Sequence, residues 1–471
     1  MLIMSETLPQ IILTFKPEIS IIEDAETGLI LKSPYIEFNL SKLSPGMVAA
    51  IKILSTAGAT EKALTQVVVS TEGSSSLAKF YYYLEQFVIL GLIYHTLEID
   101  GSSLATAVPI ATPYKWQLSE TITDNNYQVS RFAYCHSEKS HLVVESPLSK
   151  AKIILEDWRS AALINELSQP KAISDLTKIP GISEATAGLF ISFLLATEVL
   201  SSVNNNSSLE QSETLTQWEF HDLLFHSRSR GGRHSNQIGK TFRFLGQIEP
   251  TPVLKAKPSN EIINLYQPNI DSLKQIDRPF TAILEERKSI RQHGEKPITV
   301  EQLGEFLYRS ARLREIVPRD NMDCSNRPYP TGGACYDLEI YTAINVCENI
   351  EAGLYYYAPQ DHQLCKISGK TKQVEALLKS AGLAVQIEVE PQILILLSSR
   401  FSRVSWGYES IAYSLILKHV GVLYQTMYLV ATAMNLAPSG VGAGNSELFA
   451  AAAGCDYFAE SSVGEFILGS R

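Results

Sequence analysis

The chain offers little to any function built on paired cysteines. Its six cysteines (Cys135, Cys324, Cys335, Cys347, Cys365, Cys455) include no Cys-x-x-Cys pair and no metal-like grouping with histidine. Neither a zinc site nor a disulfide framework is therefore expected, and the sequence reads as a reduced, cytoplasmic chain. Long apolar runs are also missing, since no segment reaches the roughly 18 apolar residues of a membrane span. The opening MLIMSETLPQIILTF has no basic region ahead of an uninterrupted apolar stretch, so neither an export signal nor membrane association is expected. Basic charge is scarce as well. With 40 Lys and Arg against 50 Asp and Glu, the formal charge of −10 disfavours nucleic acid and anionic membrane as partners. Any phosphate must be met by a local cluster. His221, His226 and His234 lack the H-E-x-x-H spacing, so no metal is assigned to them, and no G-x-S-x-G elbow or P-loop occurs.

What is present begins with a repeat. Within 471 residues, enough for two to four domains, Leu29-Ile-Leu-Lys-Ser-Pro34 recurs as Leu142-Val-Val-Glu-Ser-Pro147. At the same offset, the segment from Pro45 to Leu54 matches the one from Trp158 to Leu167. Each copy runs from a short extended stretch to a helix, a polar stretch and a strongly apolar helix, Leu77 to Leu90 in the first and Ala185 to Leu195 in the second. After the first of these, Gly91 to Leu97 alternates like a wing strand. The spacing predicts two winged-helix modules, over 1–110 and 111–203. They are either stabilising units without a partner or peptide-binding elements, because a strand edge beside an apolar helix can take up an extended peptide as a further strand. DNA binding is disfavoured, the two helices holding Lys79 and no arginine.

Polar residues without periodicity predict a linker over 204–216. From 217 to 471 helices alternate with short strands such as those at Leu338 and Gln392, an α+β pattern. Four segments there can carry chemistry. Arg287-Lys288-Ser289-Ile-Arg291 gathers cations and a hydroxyl suited to a phosphate monoester, or forms a solvated basic turn. Pro330-Thr331-Gly332-Gly333 brings backbone close to a flat ligand, or makes a plain tight turn. Trp406-Gly407-Tyr408 precedes a long apolar helix, and Tyr408 would need a lowered pKa to act as acid or base. Ser439-Gly440-Val441-Gly442 leaves that helix as a glycine-rich exit, suited to backbone contact with a cofactor ring.

Taken together, R-K-S-I-R, R-P-Y-P-T-G-G-A-C-Y-D-L-E-I-Y, W-G-Y-E and the glycine-rich exit resemble the FMN-dependent nitroreductase superfamily. More narrowly they resemble the SagB/ThcOx-type azoline dehydrogenases that mature ribosomal peptides such as cyanobactins. The resemblance extends over nearly the whole chain and implies a C-terminal nitroreductase-like fold preceded by two leader-recognition-like modules. It further implies a homodimer with FMN between subunits and an azoline-containing precursor peptide as substrate. Arg287, Lys288, Ser289 and Arg291 would lie near the phosphate and ribityl chain, Pro330 to Gly333 near the ring, and Ser439 to Gly442 at its edge. Tyr408 matches the tyrosine of the family's Lys-Tyr pair, and Gly407 stands at the lysine position. The burden then falls on Tyr408 itself, on a backbone group, or on a residue from elsewhere such as Lys418. A broad-specificity flavin or nitroreductase using NAD(P)H and a cofactor-free leader-binding scaffold are the alternatives.

Overall fold

The computed structural model describes residues 8–24, 28–33, 37–119, 125–203, 210 and 212–471, so Pro34 of the repeat and most of the expected linker lie outside the described residues. The chain divides into two compact units, Met1–Asn236 and Gln237–Arg471.

The repeat governs the first unit. Its first copy comprises β1 (Gln10–Phe15), β2 (Ser20–Asp24), β3 (Gly28–Lys32), β4 (Glu37–Leu40), α1 (Pro45–Leu54), α2 (Glu61–Glu72), α3 (Leu77–Ile89), β5 (Ile93–Ile99) and β6 (Ser102–Pro109). The second comprises β7 (Tyr127–Val129), β8 (Tyr134–Glu138), β9 (His141–Glu145), β10 (Ala151–Leu155), α4 (Trp158–Glu166), α5 (Ile173–Leu176), α6 (Glu184–Ala196) and β11 (Leu200–Ser202). Strand β3 corresponds to β9 and helix α1 to α4, as the sequence offset requires. The polar stretch differs between copies: Thr60 caps a full helix by accepting from Ala63 N at 3.1 Å, whereas the second copy keeps only the four-residue α5. In each copy the first strand pairs antiparallel with the strand that follows the apolar helix, β1 with β5 and β7 with β11. The copies are not separate sheets. Strand β6 of the first pairs with β10 of the second, giving one six-stranded sheet of order β1-β5-β6-β10-β9-β8. Phe80, Leu84 and Phe87 of α3 fill one core, and Phe190, Ile191 and Leu194 of α6 fill the other. Two short helices, α7 (Glu213–Thr216) and α8 (Phe220–Arg228), complete the unit.

The second unit is built on one antiparallel sheet buried on both faces. Its elements are β12 (Ile262–Asn264), α9 (Ile270–Ile276), α10 (Phe280–Glu286), α11 (Val300–Ala311), β13 (Glu315–Val317), β14 (Cys324–Asn326), β15 (Leu338–Ile344), β16 (Gly353–Ala358), β17 (Gln363–Gly369), α12 (Lys372–Ala384), β18 (Ile393–Arg400), α13 (Ser402–Ser405), α14 (Ala412–Ala433), β19 (Ala437–Val441), α15 (Ser446–Ala453) and β20 (Glu460–Gly469). The seven strands run in the order β12-β17-β16-β15-β18-β20-β19. Side chains alternate by strand period: Ile340, Ile395 and Phe466 face α11 and α14, while Tyr341, Leu394 and Ile467 face α12 and α15. That is why β15 and β18 read as unbroken apolar runs. Helix α11 starts in a capping box of Thr299 and Gln302. Among the described residues, no helix is long and apolar enough to cross a membrane.

Phe306 of α11 is fully buried, its ring 6.4 Å from that of Phe466. Phe306→Ala should cost about 3–5 kcal/mol in equilibrium denaturation, since the cavity opens where helix meets sheet. A loss below about 1 kcal/mol would place α11 off the sheet.

Candidate functional site

Helix α14 organises the site because its polar side chains end the backbone hydrogen bonds of glycine-rich segments. Tyr428 serves the first pair of segments. Its hydroxyl accepts from Gly440 N at 2.7 Å and lies 2.8 Å from Ser289 Oγ, while its ring stands 5.2 Å from the Arg287 guanidinium carbon. Ile290 N also donates to Pro438 O at 2.8 Å. The basic cluster and the glycine-rich stretch, about 150 positions apart in sequence, therefore touch. Lys288, Ser289 and Arg291 are exposed and Arg287 is half-buried, so the cations stand at the rim. The exit itself departs from expectation. Ser439, Gly440 and Val441 belong to edge strand β19, because Asn435, at φ 53°, ends α14 in the left-handed conformation and turns the chain back along β20. Ser439 and Val441 are buried in that strand, and only Gly442 stands free beyond it.

The second pair is held by His419. Gly332 N donates to His419 Nε2 at 2.7 Å, and His419 Nδ1 lies 2.6 Å from Asp337 Oδ1. With Nε2 accepting, Nδ1 carries the proton and donates to the carboxylate, which also accepts from Ser399 Oγ at 2.7 Å. Arg403, fully buried, ties the same loop from below by donating to the carbonyls of Cys335, Asp323 and Thr251. Pro330 is exposed and Thr331 half-buried, its hydroxyl accepting from Tyr336 N at 3.2 Å. Gly333 has φ +62°, and a Cβ there would fall 2.7 Å from the Tyr408 hydroxyl and 2.8 Å from Lys240 Nζ. The positive φ favours glycine, and a side chain there would have to displace the Tyr408 hydroxyl or the Lys240 ammonium.

Tyr408 is half-buried at this turn. Burial, with the thiols of Cys335 and Cys324 behind the loop, holds its phenol above the ordinary tyrosine range. The lowered pKa that a standing base needs is not there. Lys418, one of the candidates to compensate for Gly407, is exposed on α14; the ammonium that reaches Tyr408 belongs to Lys240. Among the described residues, no hydrogen bond or ion pair joins the Tyr428 pair of segments directly to the Gly333 turn.

Sequence reasoning missed His419, Asp337, Tyr428, Lys240 and Glu465. His419 stands beside Lys418 and Tyr428 close to Gln425 and Thr426 on α14, so nothing in the sequence set either apart. Glu465 carried no signal either: its buried carboxylate lies within 2.4 Å of where a Gly444 Cβ would stand, and burial raises its pKa. In the first unit, His136, Glu138 and Glu145 each bring a ligand atom within 4.8 Å of the others. Glu145 is already paired with Arg228 and His136, and Glu138 with Lys152, so these groups neutralise one another.

The class of protein that this fold and site define is set by comparison with known families. Residues 284–469 match the nitroreductase family. Residues 7–118 match the ThcOx helix-turn-helix domain, and 127–235 match the cyanobactin oxidase ThcOx. In chain order the three matches show a chain built like a ThcOx-type cyanobactin oxidase, with a helix-turn-helix domain first and a nitroreductase domain last. A protein of Methanocaldococcus jannaschii that carries the name of a nitroreductase is 25% identical over 183 residues, 39% of this chain and 85% of its own length. A nitroreductase-named structure from Ralstonia eutropha covers 47% of this chain and 97% of its own at 18% identity and TM-score 0.36. A chain of the Escherichia coli microcin synthetase McbBCD complex, solved with truncated pro-MccB17 bound, covers 44% of this chain and 74% of its own at 20% identity and TM-score 0.34.

His419→Ala should destabilise the chain by roughly 2–3 kcal/mol, because it leaves the buried Asp337 carboxylate with Ser399 as its side-chain partner and takes the acceptor from Gly332 N. Adding Asp337→Asn should return part of the loss; if thermal denaturation shows the double variant no more stable than the single, the pair is not coupled as described.

Proposed function

We propose that this chain is an FMN-dependent oxidase that converts thiazolines or oxazolines of a ribosomal precursor peptide to thiazoles or oxazoles in the cytoplasm, dioxygen reoxidising the flavin. The observation that carries the reading is the union, in one chain, of a nitroreductase domain with both ThcOx domains. A reductase of small free substrates has use only for the first.

The residues present fit a flavin. A Cβ on Gly333 would crowd the Tyr408 hydroxyl at 2.7 Å and one on Gly332 would press on His419 Nε2 at 3.2 Å, which favours bare backbone beside Tyr408, and a Cβ on Gly442 would meet nothing within 4 Å. Pro330, Thr331, Gly332 and Gly333 would lie along the ring, Ser439, Gly440, Val441 and Gly442 at its edge, and Arg287, Lys288, Ser289 and Arg291 at the phosphate and ribityl chain. When bound, the flavin supplies a hydride acceptor; the protein supplies alignment. Tyr408 takes the acidic Cα proton of the azoline, directly or through water. With its pKa raised, the phenolate fraction grows with pH, so turnover should climb from neutral to alkaline pH.

The two half-sites account for a homodimer in which the cluster at Tyr428 of one subunit meets the Gly333 turn of its partner. Phe280 and Leu284 on α10 and Leu417 on α14 are apolar and exposed, a surface of the kind a second copy covers. In the first unit, edge strand β8 and a cleft of about 650 Å³ lined by Tyr94, Tyr134, His136, Glu138, Lys152 and Arg228 offer an extended peptide both a strand partner and polar contacts. Tethering by this unit raises the local substrate concentration at the oxidase domain.

The relative named as a nitroreductase favours a second reading, an NAD(P)H-dependent flavin or nitroreductase of broad specificity. Incubation with an azoline-bearing peptide separates the two. The oxidase removes two hydrogens, read by mass spectrometry, without NAD(P)H, whereas rapid bleaching of the flavin by NAD(P)H alone with no azole formed supports the reductase. Tyr408→Phe should lower azole formation at least a hundredfold with the flavin spectrum kept; unchanged turnover would remove Tyr408 from the mechanism. Arg287→Ala combined with Ser289→Ala should lower bound flavin, measured by absorbance per chain.

A further inference from the structure

We propose that Lys240 is the positioning cation of the Tyr408 hydroxyl, delivered from outside the Tyr408 loop by the segment 237–243. The assignment of a task to Tyr408 rests on the oxidase reading; the placement of Lys240 does not. The segment is laid antiparallel along 407–410. Gly239 bridges Tyr408, Thr241 N donates to Gly407 O at 3.0 Å, Glu409 N to Ile238 O at 3.2 Å and Ser410 N to Gln237 O at 3.2 Å. Thr241 Oγ1 adds a bond of 2.6 Å to the Glu409 carboxylate. Gly239 permits the approach: a Cβ there would lie 2.8 Å from Tyr408 Cα.

This register sets the ammonium at the phenol. Lys240 Nζ is 5.7 Å from the centre of the Tyr408 ring and 5.7 Å from that of Phe242. Because one point beside Gly333 is 2.7 Å from the hydroxyl and 2.8 Å from Nζ, the two atoms lie within about 5.5 Å of each other. Gly407 has no side chain to put there, and a Cβ on it would already touch the Phe242 ring at 3.5 Å. The segment thus fills the space at 407 and brings a cation from another direction.

The charges around Tyr408 leave that cation unspent. The Cys324 and Cys335 thiols face it from behind the Gly333 turn; burial pushes Cys335 up to about 11, against the pull of Arg403 and Lys240. The neighbouring Glu409 carboxylate is turned to Thr241 and to Arg243 at 3.8 Å. Among the described residues, Lys240 forms no ion pair. An ammonium within about 6 Å favours the phenolate that burial opposes. Lys240 acts through Tyr408.

Alkaline titration of tyrosinate absorbance on the full chain, with the Tyr408→Phe protein subtracted to isolate Tyr408, tests this without substrate. Lys240→Met should raise the Tyr408 midpoint by about one pH unit, and Lys240→Arg, which keeps the charge, should restore it. In turnover, the pH profile of Lys240→Met should move alkaline by the same amount, with flavin content unchanged. A Tyr408 midpoint equal in wild type and Lys240→Met would overturn the proposal, whatever the substrate proves to be. A shifted midpoint in a protein that forms no azole would uphold Lys240 and sink the oxidase reading instead.

Discussion

Buried backbone amides must find acceptors, and in the second unit three segments distant in sequence find theirs on one helix. Gly332 ends on His419, Gly440 on the Tyr428 hydroxyl and Glu465 on the Tyr424 hydroxyl at 2.6 Å. An unpaired buried amide costs about 1–3 kcal/mol, so each bond fixes where a glycine-lined surface can stand. Helix α14 is consequently more than a filler between sheet and solvent. Its apolar residues Leu423, Met427 and Ala431 seat it on the sheet, and its polar ones hold the turn at Gly333, strand β19 and the start of the basic cluster in place.

Much of this was legible in the sequence. The offset repeat appeared as matching strands and helices, since apolar period and turn residues report local structure directly. The apolar runs at Leu338 and Gln392 became central strands, because both sheet faces are covered. The glycine-rich exit was legible as a special backbone, and its place in an edge strand was not, because pairing with β20 is a long-range event that spacing does not encode. Lys240 was hidden for the same reason: its segment is polar and irregular, and only its hydrogen bonds to 407–410 give it meaning. The pairing of His419 with Asp337 joins two ordinary-looking residues through tertiary contact alone.

The site comes in halves, which shapes the functional account. The cations at Arg287 and Arg291 stand with strand β19, while Tyr408 stands with the Gly333 turn and Lys240. In the proposed reading, a mononucleotide flavin held between subunits would take its phosphate contacts and one ring edge from the first half and its remaining ring contacts from the second. The first unit adds a continuous sheet made by the two copies of the repeat, with an open strand edge at β8.

This division can be tested by complementation between subunits. Two variants, Tyr408→Phe and Arg287→Ala/Arg291→Ala, each inactive in azole formation, are co-expressed with different tags and the mixed dimer is purified. If each site is shared, one of the two sites in a mixed dimer is free of every substitution, and azole formation should return to about half the wild-type rate per dimer. Mixed dimers as inactive as the parents would contradict the account.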